Sequence, residues 1–203
     1  MVSISANGRF LVIYRSGDDR GNGDLFWSEH NGTTWTAPTA FGESINSGFE
    51  ETSACLNADG NVIYFTSNRP GGFGGKDLYR AVKFGTGEWS KPLNLGPTIN
   101  SRYDEEAPFL RPNGKELYFS SQGHQNIGGY DIFMAQLNEA NEWTTPENLG
   151  FPISTVDDDM NFILIEDGSR GYSSNQFSNV RKACAKHGVA PDFQVYQQGR
   201  SEG

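Results

Sequence analysis

Short runs of alternating apolar and polar residues recur along the chain and predict β-strands. The stretch 101–154 contains four such runs, which are 107–110, 115–120, 130–136 and the segment from Trp143 to about Leu149. Alternation with a period of two gives a strand one buried face and one wetter face. Pro112-Asn113-Gly114 separates the first two runs, and Asn-Gly pairs favour tight hairpins. The pattern therefore predicts a sheet of four short antiparallel strands.

The same unit recurs at a spacing of 54 residues. The positions that keep one residue type are Trp35, Trp89 and Trp143; Pro38, Pro92 and Pro146; Gly42, Gly96 and Gly150; Ile45, Ile99 and Ile153; Gly60, Gly114 and Gly168; and Tyr64, Tyr118 and Tyr172. A slightly shorter first copy carries Asn7-Gly8, Tyr14 and Asp24. Units of about 40–55 residues with four strands are typical of β-propeller blades, which bury their faces only by stacking on each other.

The predicted fold is therefore all-β, a β-propeller of four-stranded antiparallel blades in four units. We place the units at about 1–46, 47–100, 101–154 and 155–203, with the blade pattern clear over 1–175. The basic and polar stretch 176–203 departs from the pattern, and it either completes the last blade after an insertion or lies outside it. The chain forms a four-bladed ring or part of a larger propeller. The repeated tryptophans are expected to pack between blades.

Charge and composition narrow the function classes. The net charge of -9 argues against a nucleic-acid partner, because a basic surface supplies most of that affinity. It permits cationic ligands, metal ions or basic protein faces. Cys55 and Cys184 are expected to be unpaired thiols. The sequence has no apolar run of the roughly 18 residues that a transmembrane helix needs. Met1 leads straight into a strand-like segment without a signal peptide, so the protein is cytoplasmic or, as we favour, naturally begins upstream.

Acidic residues cluster just before the first strand of each later unit. These are Glu50, Glu51, Asp104, Glu105, Glu106, Asp157, Asp158 and Asp159. Since the first strand of a propeller blade lines the central channel, we expect these carboxylates to form a partial ring at one channel mouth. The ring would attract a cation, for which Ca²⁺ is the candidate, or a basic peptide. The alternative is that the acids bind backbone amides of neighbouring loops or face water. We expect no other cofactor.

Three further patterns indicate structure rather than chemistry. The glycine-rich segments 69–75 and 122–129 are each followed by a strand, so they predict wide hairpins and not phosphate loops. Residues 28–35, SEHNGTTW, are similar to the Asp-box of sialidases, with His30 in place of its Asp. That box is itself a turn between the third and fourth strands of a blade. The three histidines show no metal-ligand spacing, and we identify no catalytic residue.

Two long phrases carry a family resemblance. Residues 56–81 (LNADGNVIYFTSNRPGGFGGKDLYRA) and 110–135 (LRPNGKELYFSSQGHQNIGGYDIFMA) resemble the Pro-Asp-Gly propeller repeat of TolB. Together with 89–110 they are most similar to the variant in OmpA-family envelope proteins of Bacteroidota. The likeness covers 1–175 and implies a periplasmic or outer-membrane-associated propeller that contacts a protein or a peptidoglycan-associated partner. It implies no catalytic residues.

We therefore predict a non-catalytic binding or scaffold module of the bacterial cell envelope. One alternative is a glycan-active, sialidase-like hydrolase, since propellers often host catalysis at the channel mouth. The other is a purely structural spacer. Fold alone does not separate these possibilities, because function depends on the sites that a fold carries.

Overall fold

The computed structural model describes residues 2–5, 7–17, 23–165, 168 and 170–175. The stretch 176–203 lies outside them, and so does the prediction that it completes the last blade. The strands are β1 Val2–Ile4, β2 Phe10–Arg15, β3 Asp24–Glu29, β4 Thr39–Ala40, β5 Glu51–Leu56, β6 Val62–Ser67, β7 Asp77–Val82, β8 Leu93–Asn94, β9 Glu105–Leu110, β10 Glu116–Ser121, β11 Asp131–Gln136, β12 Glu147–Asn148, β13 Asp159–Leu164 and β14 Gly171–Asn175.

The strands form successive antiparallel sheets, as the repeat predicts. Three sheets have four strands in chain order, β1 to β4, β5 to β8 and β9 to β12, and β13 pairs with β14 in a further sheet. We call these blades 1 to 4. The first strands β1, β5, β9 and β13 are the inner strands, and β1, β5 and β9 each contact the inner strand of the next blade. The propeller blade architecture predicted from the sequence is confirmed.

The repeated glycines and tryptophans have the structural roles expected of them. Gly60 and Gly114 adopt φ values of 70° and 68° in the turns that join the first two strands of their blades. Each repeated tryptophan forms a bridge across the turn after the third strand, and the pairs are His30 with Trp35, Lys83 with Trp89, and Leu137 with Trp143.

Neighbouring blades pack through apolar side chains. Trp89 of blade 2 lies 5.7 Å from Phe41 of blade 1, and Trp143 of blade 3 lies 6.2 Å from Tyr64 of blade 2, measured between ring centroids. The prediction that these two indoles pack between blades is therefore confirmed. Trp35 differs, because it remains 40% exposed and its ring contacts His30.

Blade 1 corrects one detail of the repeat. In β6, Tyr64 pairs with Arg80 of β7, and the equivalent pair in blade 1 is Val12 with Trp27. Tyr14 therefore does not occupy the repeat-tyrosine position, but sits two residues further along its strand. Its ring occupies the space beside Gly23, where an added Cβ would lie 2.1 Å from a ring carbon. Because the first copy of the repeat is shorter, an alignment on tyrosines alone does not reveal that Tyr14 is two residues away from the equivalent position.

Candidate functional site

The loops that precede β5, β9 and β13 lie at one end of the blades, together with the loops between the second and third strands. This end holds the predicted acidic residues, and we call it the mouth. Repeat-equivalent positions bring Glu50, Asp104 and Asp158 to its surface loops. The carboxylates of Asp104 and Asp158 accept backbone N–H groups of the preceding blade, from Lys76 at 2.9 Å and Tyr130 at 3.0 Å. The mouth carboxylates thus also fasten neighbouring blades together.

Three of the predicted acids are not accessible at the mouth. Glu51, Glu105 and Asp159 begin the inner strands and are completely buried. Their side chains accept hydrogen bonds from the serine or threonine four residues earlier, as from the Ser47 and Ser101 hydroxyls, each at 2.6 Å. For these three positions the structure favours the internal hydrogen-bonding role, and they leave the set of exposed ligand candidates. Adjacent residues of a strand point to opposite faces, which explains why neighbours in one acidic run have different environments.

Glu106 is the most connected carboxylate of the mouth. It accepts hydrogen bonds from Thr52 at 2.9 and 2.8 Å and from Ser53 at 2.9 Å, both on the inner strand of blade 2. The ammonium of Lys76 lies 2.9 Å from its Oε1 atom and 3.5 Å from Oε2 of Glu50. Burial alone would lower the pKa of Lys76, but Glu106, Glu50 and Asp104 outweigh it and hold the pKa above its ordinary value. Lys76 therefore stays positively charged at neutral pH.

Tyr130 lines the mouth at the position that Lys76 occupies one blade earlier. Its hydroxyl lies 3.4 Å from Oδ2 of Asp104 and donates a hydrogen bond to it. Burial, followed by the negative charges of Asp104 and Glu106, raises the pKa of Tyr130. The pKa of Tyr14, in blade 1, is also raised, first by burial and then by Glu50. Both phenols therefore remain neutral, and the Tyr130 oxygen can accept a hydrogen bond from a ligand while its hydroxyl donates to Asp104.

The mouth is strongly acidic in balance. Four predicted carboxylates are half-buried or exposed there, and they are Glu50, Asp104, Asp157 and Asp158, whereas Glu106 is buried against Lys76, Thr52 and Ser53. Lys76 offsets one of these charges, while Arg102 lies at the rim, with its guanidinium 4.8 Å above the exposed ring of Tyr103. Like charges gathered in one concavity produce a field that attracts cationic groups.

Sequence reasoning missed an apolar rim around these acids. Phe49, Phe73, Tyr103 and Ile127 lie in the same set of loops and are each between 43% and 50% exposed. The 54-residue spacing could have revealed them, because Phe49 and Tyr103 form one equivalent pair and Phe73 and Ile127 form another. Large apolar side chains exposed around a polar site commonly mark a protein-contact surface.

The glycine-rich loops and the Asp-box-like segment have structural roles. Asp77 accepts backbone N–H groups of Phe73 at 2.6 Å and Gly74 at 3.0 Å, so the loop folds back as the predicted hairpin. In the segment 28–35 the carbonyl oxygen of the Asn31 side chain accepts the N–H groups of Thr33 and Thr34. This is a turn between the third and fourth strands, as expected, and Asn31 rather than His30 stabilises it.

A metal site needs several ligand side chains close together, which the described part of the chain does not provide. There, no three histidine, cysteine, aspartate or glutamate side chains converge closely enough to hold a metal ion. The carboxylates of the mouth are instead spread over separate hydrogen bonds. The same residues contain no helix that is long and apolar enough to cross a membrane. Cys55 is buried, and burial raises the pKa of its thiol to about 12, so it is not a reactive group.

The comparison with known proteins gives similarity of fold alone. No protein-family model matches the chain, and no curated protein matches it. Among solved structures, TolB from Acinetobacter baumannii is 18% identical with a TM-score of 0.48, over 84% of this chain and 38% of that chain. An α-L-arabinofuranosidase from Lactobacillus brevis is 14% identical with a TM-score of 0.47, over 81% of this chain and 60% of that one.

A puromycin-hydrolyzing peptidase from Mycobacterium tuberculosis is 13% identical with a TM-score of 0.47, over 82% of this chain and 26% of that one. The chain thus spans less than two thirds of each of these proteins. Its sheets have the blade architecture of a β-propeller, while the resemblance of its repeat to TolB and to the OmpA-family variant stays a prediction. The fold does not decide between binding and catalysis, because function depends on the sites that a fold carries.

Proposed function

We propose that this chain is a non-catalytic binding module whose mouth receives a protein segment that presents a basic side chain flanked by apolar ones. One observation carries the proposal. Among the described residues, four accessible carboxylates and two neutral tyrosines share the mouth with Lys76, and exposed aromatic and aliphatic side chains surround them. Such a surface is complementary to a cationic and apolar ligand.

The charges would supply attraction and orientation. Asp158 is exposed, and Asp104 and Glu50 are half-buried, so their carboxylates can approach an incoming ammonium or guanidinium group. Unit charges near a protein surface interact by about 4 kcal/mol at 4 Å before desolvation is counted. Salt weakens such attraction, because the Debye length is about 8 Å at physiological ionic strength. Binding should therefore decrease as the salt concentration rises.

The apolar rim would supply most of the affinity. Phe49, Phe73, Tyr103 and Ile127 already lie in water, so covering them with a partner removes apolar surface from solvent. Each square ångström of such surface contributes about 25 cal/mol, and aromatic anchors dominate many protein interfaces. The combination explains why the rim and the acids occur on the same loops.

The proposed cellular setting is the bacterial envelope, where the partner is a protein or is associated with peptidoglycan. The resemblance of the repeat units to envelope propellers supports this setting, and the acidic, aromatic mouth is compatible with it.

The proposal is tested by capture from a Bacteroidota envelope extract with three baits. The first is the whole chain, and the second carries Glu50→Gln, Asp104→Asn and Asp158→Asn. The amide oxygens of the new side chains can still accept the backbone N–H groups that fasten the blades. The third bait carries Asp59→Asn, Glu88→Gln and Glu139→Gln, which remove three charges from exposed positions at the opposite end.

We expect a specific partner to be retained by the first and third baits and lost from the second, with release by salt. A partner that all three baits retain equally would overturn the mouth as the binding surface. Turnover of a glycoside panel by the purified chain would favour the hydrolase alternative. Capture of nothing by any bait would instead favour the structural spacer.

A further inference from the structure

A second concave site lies between blades 2 and 3, away from the mouth. It is an open groove of about 760 Å³, and its walls include Asn57, Tyr64, Arg80, Leu95, Glu142 and Trp143. Ligand pockets in proteins usually measure about 300–1,000 Å³ and combine apolar walls with a few polar groups. The groove meets both conditions.

The interface between blades 1 and 2 shows what fills the same space elsewhere. There the ammonium of Lys83 lies 4.9 Å above the ring of Trp27 and 5.9 Å above that of Trp89. The strand pairing makes Arg80 the equivalent of Trp27, and the bridges to the repeated tryptophans make Leu137 the equivalent of Lys83. Between blades 2 and 3, Arg80 therefore stands in place of the Trp27 ring, and Leu137 stands in place of the Lys83 ammonium.

Arg80 is left as the principal charge inside this groove. Among the ion pairs of the described residues, none involves Arg80. Its guanidinium lies beside Tyr64, where burial raises the pKa of the phenol and the positive charge of Arg80 opposes that rise. A guanidinium presents several donors in a planar fork that suits a carboxylate. Glu142 also lines the groove, but it forms no ion pair with Arg80 among those of the described residues, so the guanidinium is positioned for the anion of a ligand.

The remaining walls suit a ligand with both hydroxyl groups and an apolar face. Tyr64 and Trp143 form an edge-to-face pair with centroids 6.2 Å apart, and Leu95 adds an aliphatic surface. The side-chain oxygen of Asn57 accepts the backbone N–H groups of Asn61 and Val62, and its NH₂ group donates to Asn61, which leaves one N–H for a ligand. The exposed carboxylate of Glu142 can accept hydrogen bonds. Sugars have this combination of polar edges and apolar ring faces.

We propose that the groove between blades 2 and 3 binds an acidic saccharide, with the carboxylate on Arg80 and the sugar ring against the Tyr64–Trp143 wall. This site is separate from the mouth and does not depend on the protein partner proposed for it. The saccharide could be free or part of a longer glycan, since both present the same ring and carboxylate.

The test is isothermal titration calorimetry of the whole chain with two matched pairs of sugars. Glucuronate is compared with glucose, and N-acetylmuramate with N-acetylglucosamine, because each pair differs by the group that carries the carboxylate. The Arg80→Gln variant removes the proposed anchor. The control is Arg9→Gln, which removes an exposed guanidinium of blade 1 that pairs with Glu29. Thermal unfolding verifies that both variants are folded.

We expect at least one acidic sugar to bind at least tenfold more tightly than its neutral counterpart. Its affinity should fall at least tenfold in Arg80→Gln and remain unchanged in Arg9→Gln. Absence of binding of both acidic sugars at 10 mM would overturn the proposal. Equal affinity for acidic and neutral sugars, or equal affinity of wild type and Arg80→Gln, would also overturn it. None of these results would alter the outcome of the capture experiment at the mouth.

Discussion

Glu51 of blade 2 and Glu105 of blade 3 occupy equivalent positions at the start of their inner strands, and both are completely buried. Each accepts the backbone N–H and the hydroxyl of a serine four residues earlier, and the hydroxyl of a serine on the second strand. Only Glu51 has a counter-charge, the guanidinium of Arg69 at 3.0 Å.

The presence of a counter-charge in blade 2 and its absence in blade 3 depend on the space beside Ser47 and Ser101, the serines four residues before each glutamate. The repeat equivalent of Arg69 in blade 3 is Gly123. A Cβ added to Gly123 would lie 2.0 Å from the Ser101 hydroxyl oxygen, so that position has no room for a side chain. One fold position thus tolerates a buried carboxylate in two ways, by an ion pair or by proton uptake. Burial accordingly raises the pKa of Glu105 to about 7, although the three hydrogen-bond donors oppose this rise.

Removal of the counter-charge in blade 2 should have the largest effect. Arg69→Met leaves Glu51 buried without its ion pair, and it also removes the guanidinium bonds to the Ser44 and Ile45 carbonyls. We expect the free energy of unfolding to fall by about 3–4 kcal/mol, as measured by urea denaturation at pH 8. The double variant Arg69→Met, Glu51→Gln should recover part of this loss. An equal loss in single and double variants would show that the charge of Glu51 is irrelevant.

The second prediction concerns the pH dependence of Glu105. A carboxyl of ordinary pKa, 4.5, releases its proton in the unfolded chain well before the folded group does at about 7. Between these values the folded state holds the additional proton, so its stability falls as the pH rises through this window and is then constant. The expected total fall is roughly 3–4 kcal/mol, at about 1.4 kcal/mol for each unit of pKa separation, and roughly 2–3 kcal/mol of it lies between pH 5 and pH 8.

Glu105→Gln should remove this contribution, because a neutral amide does not titrate. Urea denaturation of wild type and variant at pH 5 and pH 8 measures it as the difference between their pH-dependent changes. The hydroxyls of Ser101 and Ser121 can rotate to accept a proton held on the carboxyl. Identical pH dependence in the two proteins would contradict the prediction.

The smallest effect is expected from Gly123→Ala. The added methyl group would press on Ser101 and shift one of the donors that hold Glu105. Overpacking of this kind typically costs about 1–2 kcal/mol of unfolding free energy. Gly42→Ala is the matched control, because a Cβ added at Gly42 meets open space. Gly71→Ala is unsuitable as a control, because the positive φ of Gly71 would strain an alanine. Gly42→Ala should leave the urea midpoint nearly unchanged, and an equal effect of the two substitutions would refute the steric explanation.

Most of the fold follows from the sequence because packing and turn residues repeat together. Trp143 forms a backbone bridge within its own blade, and its ring packs on Tyr64 of the previous blade. Because one residue serves both the turn and the packing between blades, tryptophan recurs there at a regular spacing that the sequence reveals. Tyr14 shows the limit of this method. Tyr14 has the residue type of the repeat but lies two positions away from the repeat tyrosine. Its ring fits beside Gly23, and the positions equivalent to Gly23 in blades 2 and 3 are occupied by the larger Lys76 and Tyr130.

The candidate site was only partly predictable. Sequence reasoning located the acidic run at 104–106, but it did not separate Glu105, inside the blade, from Glu106, which reaches across to Thr52 and Lys76. That distinction depends on which face of the inner strand each residue occupies. The groove was invisible in the sequence, because it arises from two substitutions on different blades, Arg80 and Leu137, whose proximity only the stacking of blades reveals.

Each of the inner strands β5, β9 and β13 is joined to the residue immediately before the third strand of the preceding blade by a backbone contact that recurs without regard to side chains. The N–H groups that open β5, β9 and β13 donate to the carbonyls of Gly23, Lys76 and Tyr130 at 3.3, 2.8 and 2.6 Å. Because any residue other than proline can make this bond, the junction between units does not depend on a particular pair of amino acids. A gene segment encoding one unit, such as 101–154, could therefore be duplicated in frame and join its neighbours at once. Lengthening by whole units would then be a single mutational step, with side chains free to diverge afterwards.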